Sequence, residues 1–177
     1  RKVPVNVKAV DPENEFEKYI GLPYTSVPNP FNTEHANYAK YFEAEFMDSI
    51  KKFGIEMDYR YQTDMYTSGK YKDDVIEAIK KRKEIFDILD SFRTQDAEEG
   101  ERDAYFPVSI FCPECGRDTT RITSISDDCT VAEYECECGH KGTFDFTKEF
   151  NCKLAWKIDW PMRWRYEKVD FEPGGKD

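Results

Sequence analysis

Apolar residues first fall into a clear period between Glu34 and Phe53, where Tyr38, Phe42, Phe46, Ile50 and Phe53 share one helical face and Gly54 follows as a stop. Ile55, Met57, Tyr59 and Tyr61 then alternate with polar residues, which predicts a strand. Ser68-Gly69 marks a turn, and Lys70 to Phe92 is predicted helical, with Val75, Ile76, Ile79, Ile85, Ile88 and Leu89 apolar. The order helix, strand, helix points to an α/β layer rather than a helical bundle. Residues 1–33 carry Pro4, Pro12, Pro23, Pro28 and Pro30 and read as an irregular lead-in with one short helix near Glu13 to Ile20. The polar run 94–103 reads as a boundary. Residues 104–151 hold short β-like runs and all but one of the cysteines. From Leu154 to Trp164 the chain is apolar and rich in tryptophan, with Ile158 as the expected strand centre.

Composition narrows this picture. Hydrophobic residues make up 39% of the 177, so the chain should fold, and its 35% of charged residues are mixed in sign. No apolar run approaches the roughly 18–20 residues that span a bilayer, and no export signal is visible. The sequence opens on Arg1 and closes on a loop-like Glu172-Pro173-Gly174-Gly175-Lys176-Asp177, so a piece of a longer protein is expected. The net charge of −10 repels phosphate backbones and argues against general nucleic-acid affinity. Six cysteines without an export signal suggest a reducing compartment, the cytoplasm, where clustered cysteines more often hold metal than form disulfides.

The cysteines fall into two half-sites, Cys112-Pro113-Glu114-Cys115-Gly116 and Cys136-Glu137-Cys138-Gly139-His140. A Cys-x-x-Cys turn followed by glycine lets backbone amides face the sulfurs, as in a zinc knuckle. The intervening chain is long enough for a hairpin pairing Thr119–Ile125 with Val131–Glu135, which makes a zinc ribbon. Four thiolates leave no open coordination position, so one structural zinc ion per chain is expected on Cys112, Cys115, Cys136 and Cys138. A redox Cys-x-x-Cys or a disulfide pair are the competing readings, and neither accounts for the second pair. His140 is an alternative ligand, and Cys129 and Cys152 read as packing or surface thiols. Between 112 and 150 four basic residues face nine acidic ones, the reverse of a phosphate-binding module.

Lys153-Leu154-Ala155-Trp156-Lys157-Ile158-Asp159-Trp160-Pro161-Met162-Arg163-Trp164 spaces three tryptophans four residues apart. Its plain reading is a core strand followed by a helix start, with Pro161 in the first turn. Asp159 among aromatics is harder to place, because a buried carboxylate needs a cation or donors. Aromatic walls with a carboxylate suit a ligand bearing an ammonium group. This stretch, with 169–177, Gly21-Leu22-Pro23-Tyr24, Val27-Pro28-Asn29-Pro30-Phe31, Tyr38-Ala39-Lys40-Tyr41-Phe42, Met65-Tyr66-Thr67-Ser68-Gly69-Lys70-Tyr71 and the cysteine block, resembles the class I lysyl-tRNA synthetases of archaea and some bacteria.

That resemblance implies an enzyme that activates L-lysine with ATP and Mg2+ and transfers it to lysine tRNA. Its His-x-Gly-His-type and Lys-Met-Ser-Lys-Ser-type ATP motifs are both absent from this sequence, so the piece alone is expected to be inactive. It implies a partial Rossmann layer with an inserted β-rich zinc ribbon: residues 1–95 as the middle of the Rossmann domain, 96–151 as the insertion, and 152–177 as the return. Trp156 matches a tryptophan of the family's lysine pocket, and Asp159, Trp160 and Arg163 are expected to share the substrate site, Asp159 with bracing of the insertion as its alternative. Some members carry a second metal site at positions matching Asn29, Thr33, His35 and Tyr41. Only His35 is a good ligand there, so no second zinc is expected. The competing function is a non-enzymatic zinc-ribbon module that binds RNA or protein.

Overall fold

The computed structural model describes residues 2–168. After the short helix α1 (Val5–Lys8), 3-10 turns at Glu15–Tyr19 and Tyr24–Ser26 carry the lead-in. The buried Asp11 carboxylate starts the first of them, accepting the backbone N–H groups of Glu15 and Phe16, each at 2.9 Å. Helix α2 (Tyr38–Lys52) begins later than the periodicity suggests. Asn37 is its N-cap and its side chain accepts the Lys40 N–H at 2.9 Å, which fixes the start. No α2 residue is buried, and Phe46 and Phe53 are 52% and 79% exposed.

The strand expected over 55–61 is not formed. The segment is extended, but among the described residues it has no ladder partner, and isolated strands cannot satisfy their backbone groups. Ile55, Met57, Tyr59 and Tyr61 stay exposed. An unforeseen helix α3 (Gln62–Thr67) follows. The single helix expected over 70–92 is two, α4 (Lys72–Lys80) and α5 (Arg82–Asp90), broken at Lys81 with φ −92° and ψ 12°. The break falls in a run of four cations, Lys80 to Lys83. Arg82, just past it, donates to the carbonyls of Asp103 at 2.7 Å and Tyr105 at 3.0 Å, at the end of α6 (Glu101–Ala104).

The strands β1 (Val108–Ile110), β2 (Thr120–Ile125), β3 (Val131–Cys136), β4 (Lys141–Asp145) and β5 (Cys152–Leu154) form two small antiparallel sheets. In the first, β1 pairs with β5, with Val108 opposite Leu154 and Ile110 opposite Cys152. In the second, β2, β3 and β4 form a meander, and the expected hairpin is present with Thr120 opposite Cys136. The described residues are thus mixed α/β with two small sheets. The strand expected around Ile158 ends at Leu154 instead, and helix α7 (Trp156–Glu167) takes its place. Pro161 lies inside that helix, beyond the first turn where it was expected, and its missing N–H withdraws one helical bond.

One core joins all of this. Tyr66, Tyr71, Val75 and Ile79 of the α3–α4 region meet Val108, Ile110 and Leu154 of the first sheet. Ala132, Tyr134, Phe144 and Phe146 of the second sheet side, and Met162 of α7, complete the cluster. Burying side chains of this size stabilises by about 1.5–3 kcal/mol each. The core therefore crosses the boundary read from the polar run at 94–103.

Candidate functional site

The four cysteines converge at the tips of the two knuckles. Their sulfurs all lie within 4.8 Å of one another, with Cys112–Cys138 at 3.8 Å and Cys115–Cys136 at 3.6 Å. Metal–sulfur bonds of about 2.3 Å at tetrahedral angles put sulfurs about 3.8 Å apart, so the donor set fits zinc. Each knuckle closes in the same way despite the shorter second one. Gly116 N–H reaches Cys112 O at 2.8 Å and Gly139 N–H reaches Cys136 O at 2.9 Å. Cys112 N–H in turn reaches Arg117 O, and Cys136 N–H reaches His140 O. Both glycines hold positive φ, +71° and +93°, a conformation that costs other residues energy.

Electrostatics agree with a cation site. Burial opposes ionisation of Cys136, but the Cys138 amide and the Thr119 hydroxyl hold its thiol down to about 7. At Cys138 the His140 amide favours the thiolate, yet hydrogen bonding with the neighbouring thiols and desolvation push it up to about 12. Four crowded sulfurs thus need a cation to become four thiolates. The His140 ring lies instead against Tyr134, centroids 5.9 Å apart. Among the described residues this is the one cluster with metal-ligand geometry. The Asn29 amide donates to Thr33 Oγ1 at 2.6 Å and to the His35 carbonyl at 3.3 Å, and His35 packs edge-on to Tyr41. Cys129 lies in the β2–β3 turn, and Cys152 is buried in β5 with its thiol pushed up to about 12 by burial.

The four cations between residues 112 and 150 are all engaged. Arg117 donates to the carbonyls of Lys18 at 2.7 Å and Ile20 at 3.1 Å, tying the first knuckle to the lead-in. Arg121 and Lys141 both pair with Glu135, and Lys148 pairs with Asp145.

Helix α7 carries the expected substrate residues along one broad side, at different depths. Trp156 and Trp160 face outward, 60% and 46% exposed, with ring centroids 5.9 Å apart and nearly perpendicular. Trp164 continues the ladder at 6.3 Å. Asp159 points into the protein and is 5% exposed. Its Oδ2 pairs with Arg163, and its Oδ1 accepts the Tyr66 hydroxyl at 2.5 Å. Both carboxylate oxygens are therefore engaged within the protein. The second stretch of the resemblance, 169–177, lies outside the described residues.

Two partners escaped the sequence reading. Tyr66 looked like one apolar residue of a turn motif, and nothing local signals a buried hydroxyl that reaches Asp159. Likewise, the buried Asp118 pairs with Lys153 at 2.7 Å, joining the first knuckle to β5. Only the fold brings these positions together.

A sequence model of the family described as tRNA synthetases class I (K) matches residues 1–177. Proteins named lysine–tRNA ligase match the whole chain: that of Streptomyces coelicolor at 38% identity, Borreliella burgdorferi at 39% and Pyrococcus horikoshii at 37%. The chain spans about a third of their length, 35%, 32% and 32% respectively.

Proposed function

The chain belongs to the class I (K) tRNA synthetase family, and from that membership we propose that it supplies part of the lysine pocket of a lysine–tRNA ligase. The observation that carries the reading is the exposed Trp156–Trp160 pair on a helix held in place by the buried Asp159. An aromatic face attracts an alkylammonium chain through its stem and its charge. In this reading Trp156 and Trp160 contact lysine, whereas Asp159 and Arg163 serve the site by fixing α7. Residues 1–95 are the middle of a Rossmann catalytic domain, 96–151 its zinc-ribbon insertion and 152–177 the return into the domain.

Two features support a role within a larger ligase. Phe46 of α2, Phe53 just past it and the alternating segment 55–61 are exposed, which suits surfaces that pack against further domain layers. The segment 55–61 is extended and ready to pair. One zinc ion braces the insertion and takes no part in the chemistry. ATP and Mg2+ bind through other parts of the ligase, and lysine tRNA is the partner of the whole enzyme. No helix among the described residues is long and apolar enough to cross a membrane, and the proposed site of action is the cytoplasm.

The test is ATP–pyrophosphate exchange. The complete ligase is expected to exchange in response to lysine, and the chain alone is expected to give none. Exchange driven better by another amino acid would overturn the reading, as would lysine-dependent exchange by residues 1–177 on their own.

A further inference from the structure

We propose that Tyr66 is the positioning residue that sets the tryptophan face of α7. Its hydroxyl makes two bonds at once. It donates to Oδ1 of Asp159 at 2.5 Å and accepts the N–H of Leu154 at 3.2 Å. Those partners lie on either side of Trp156: Leu154 ends β5, and Asp159 is in the first turn of α7. A single oxygen therefore clamps the strand-to-helix junction from which Trp156 projects. The neighbouring Ala155 N–H is held by Pro107 O at 2.7 Å, so consecutive backbone amides at the junction are both fixed.

The clamp is itself rigid. Tyr66 is 9% exposed, and its ring packs edge-on to Tyr71 with centroids 5.1 Å apart. Tyr71 in turn packs edge-on to Tyr166 near the other end of α7, again at 5.1 Å. Arg163 completes the inward face by pairing with Asp159. Loss of the hydroxyl alone leaves this aromatic packing intact, but strips a buried carboxylate of a donor and a buried amide of its acceptor. Unsatisfied buried groups are costly, and local movement of the helix start towards water relieves them.

The chain itself offers a direct probe, because its three tryptophans, Trp156, Trp160 and Trp164, all lie on α7. Tyr66→Phe is expected to raise acrylamide quenching of tryptophan fluorescence and lower its anisotropy. Tyr71→Phe removes a hydroxyl that donates to Gln62 Oε1 at 3.1 Å, away from the junction, and is expected to leave both signals unchanged. Asp159→Asn reaches the same clamp from the other side and is expected to raise quenching too. Unchanged quenching in Tyr66→Phe or Asp159→Asn, or an equal rise in Tyr71→Phe, overturns the proposal.

The kinetic arm rests on the lysine-pocket reading. In the complete ligase Tyr66→Phe is expected to raise the KM for lysine about tenfold, the scale of one lost bond to a charged group, with the KM for ATP unchanged. If Trp156→Ala raises that KM and Tyr66→Phe does not, the positioning role is overturned and the pocket stands. If neither raises it, the pocket reading fails, and the quenching data alone decide whether Tyr66 sets α7.

Discussion

Phe150 lies across Gly69 so closely that a Cβ on the glycine would stand 2.7 Å from Phe150 Cε2. The contact locks the end of α3 to the chain leaving the ribbon, and it demands glycine twice over, because Gly69 also holds φ +74°. Gly69→Ala is expected to destabilise the chain by about 1–3 kcal/mol in urea denaturation. Combining it with Phe150→Ala should recover the steric part of that loss. An alanine variant as stable as the parent would show that the two segments do not pack as described.

Metal removal tests the same continuity on a larger scale. A self-contained insertion would unfold over 104–151 without zinc and spare the helices at 34–53 and 70–92. The shared core of Tyr134, Phe144 and Phe146 with Tyr71, Val75 and Ile79 changes that expectation for α4. The chain should bind one zinc, and cobalt in its place should show the absorption of a tetrahedral tetrathiolate. Cys136→Ser should weaken binding sharply. In hydrogen exchange, chelation should lower protection in β3, β4 and α4 together while α2, which buries nothing, is unaffected. Full protection of α4 without metal contradicts the shared core.

Alkaline pH offers a third check. Burial, then the bond to Asp159, drives the Tyr66 phenol well above its ordinary value of 10.0, and burial raises Tyr71, Tyr105 and Tyr134 in the same direction. The neutral phenol is favoured in the folded state, so its contribution is complete below about pH 10 and is lost as pH rises beyond it. Urea midpoints should fall between about pH 9 and about pH 11, and less steeply in Tyr66→Phe. A midpoint that holds constant over that range contradicts the buried phenols.

The four-cysteine cluster was legible because ligand spacing and glycine placement are local, and the β2–β3 hairpin followed from the length of chain between the two half-sites. The character of α7 was not. Its tryptophans and Pro161 obscured a helix at whose start Tyr66, far away in sequence, accepts the Leu154 N–H and donates to Asp159. The segment 55–61 misled for the opposite reason: its pattern is that of a strand, but a strand exists only with a neighbour. The grouping of Asp159 and Arg163 with Trp156 was visible, because residues three, four and seven apart share one side of a helix, but the burial of Asp159 beside an exposed Trp156 was not.

The central claim is that the Trp156 face receives lysine, and steady-state kinetics of Trp156→Ala in the complete ligase test it most directly. Trp156 is 60% exposed, so its removal opens no cavity and the melting temperature should hold. The KM for lysine should rise by about tenfold or more, as expected for loss of an aromatic contact to a desolvated ammonium chain, with the KM for ATP unchanged. An unchanged KM for lysine would contradict the account.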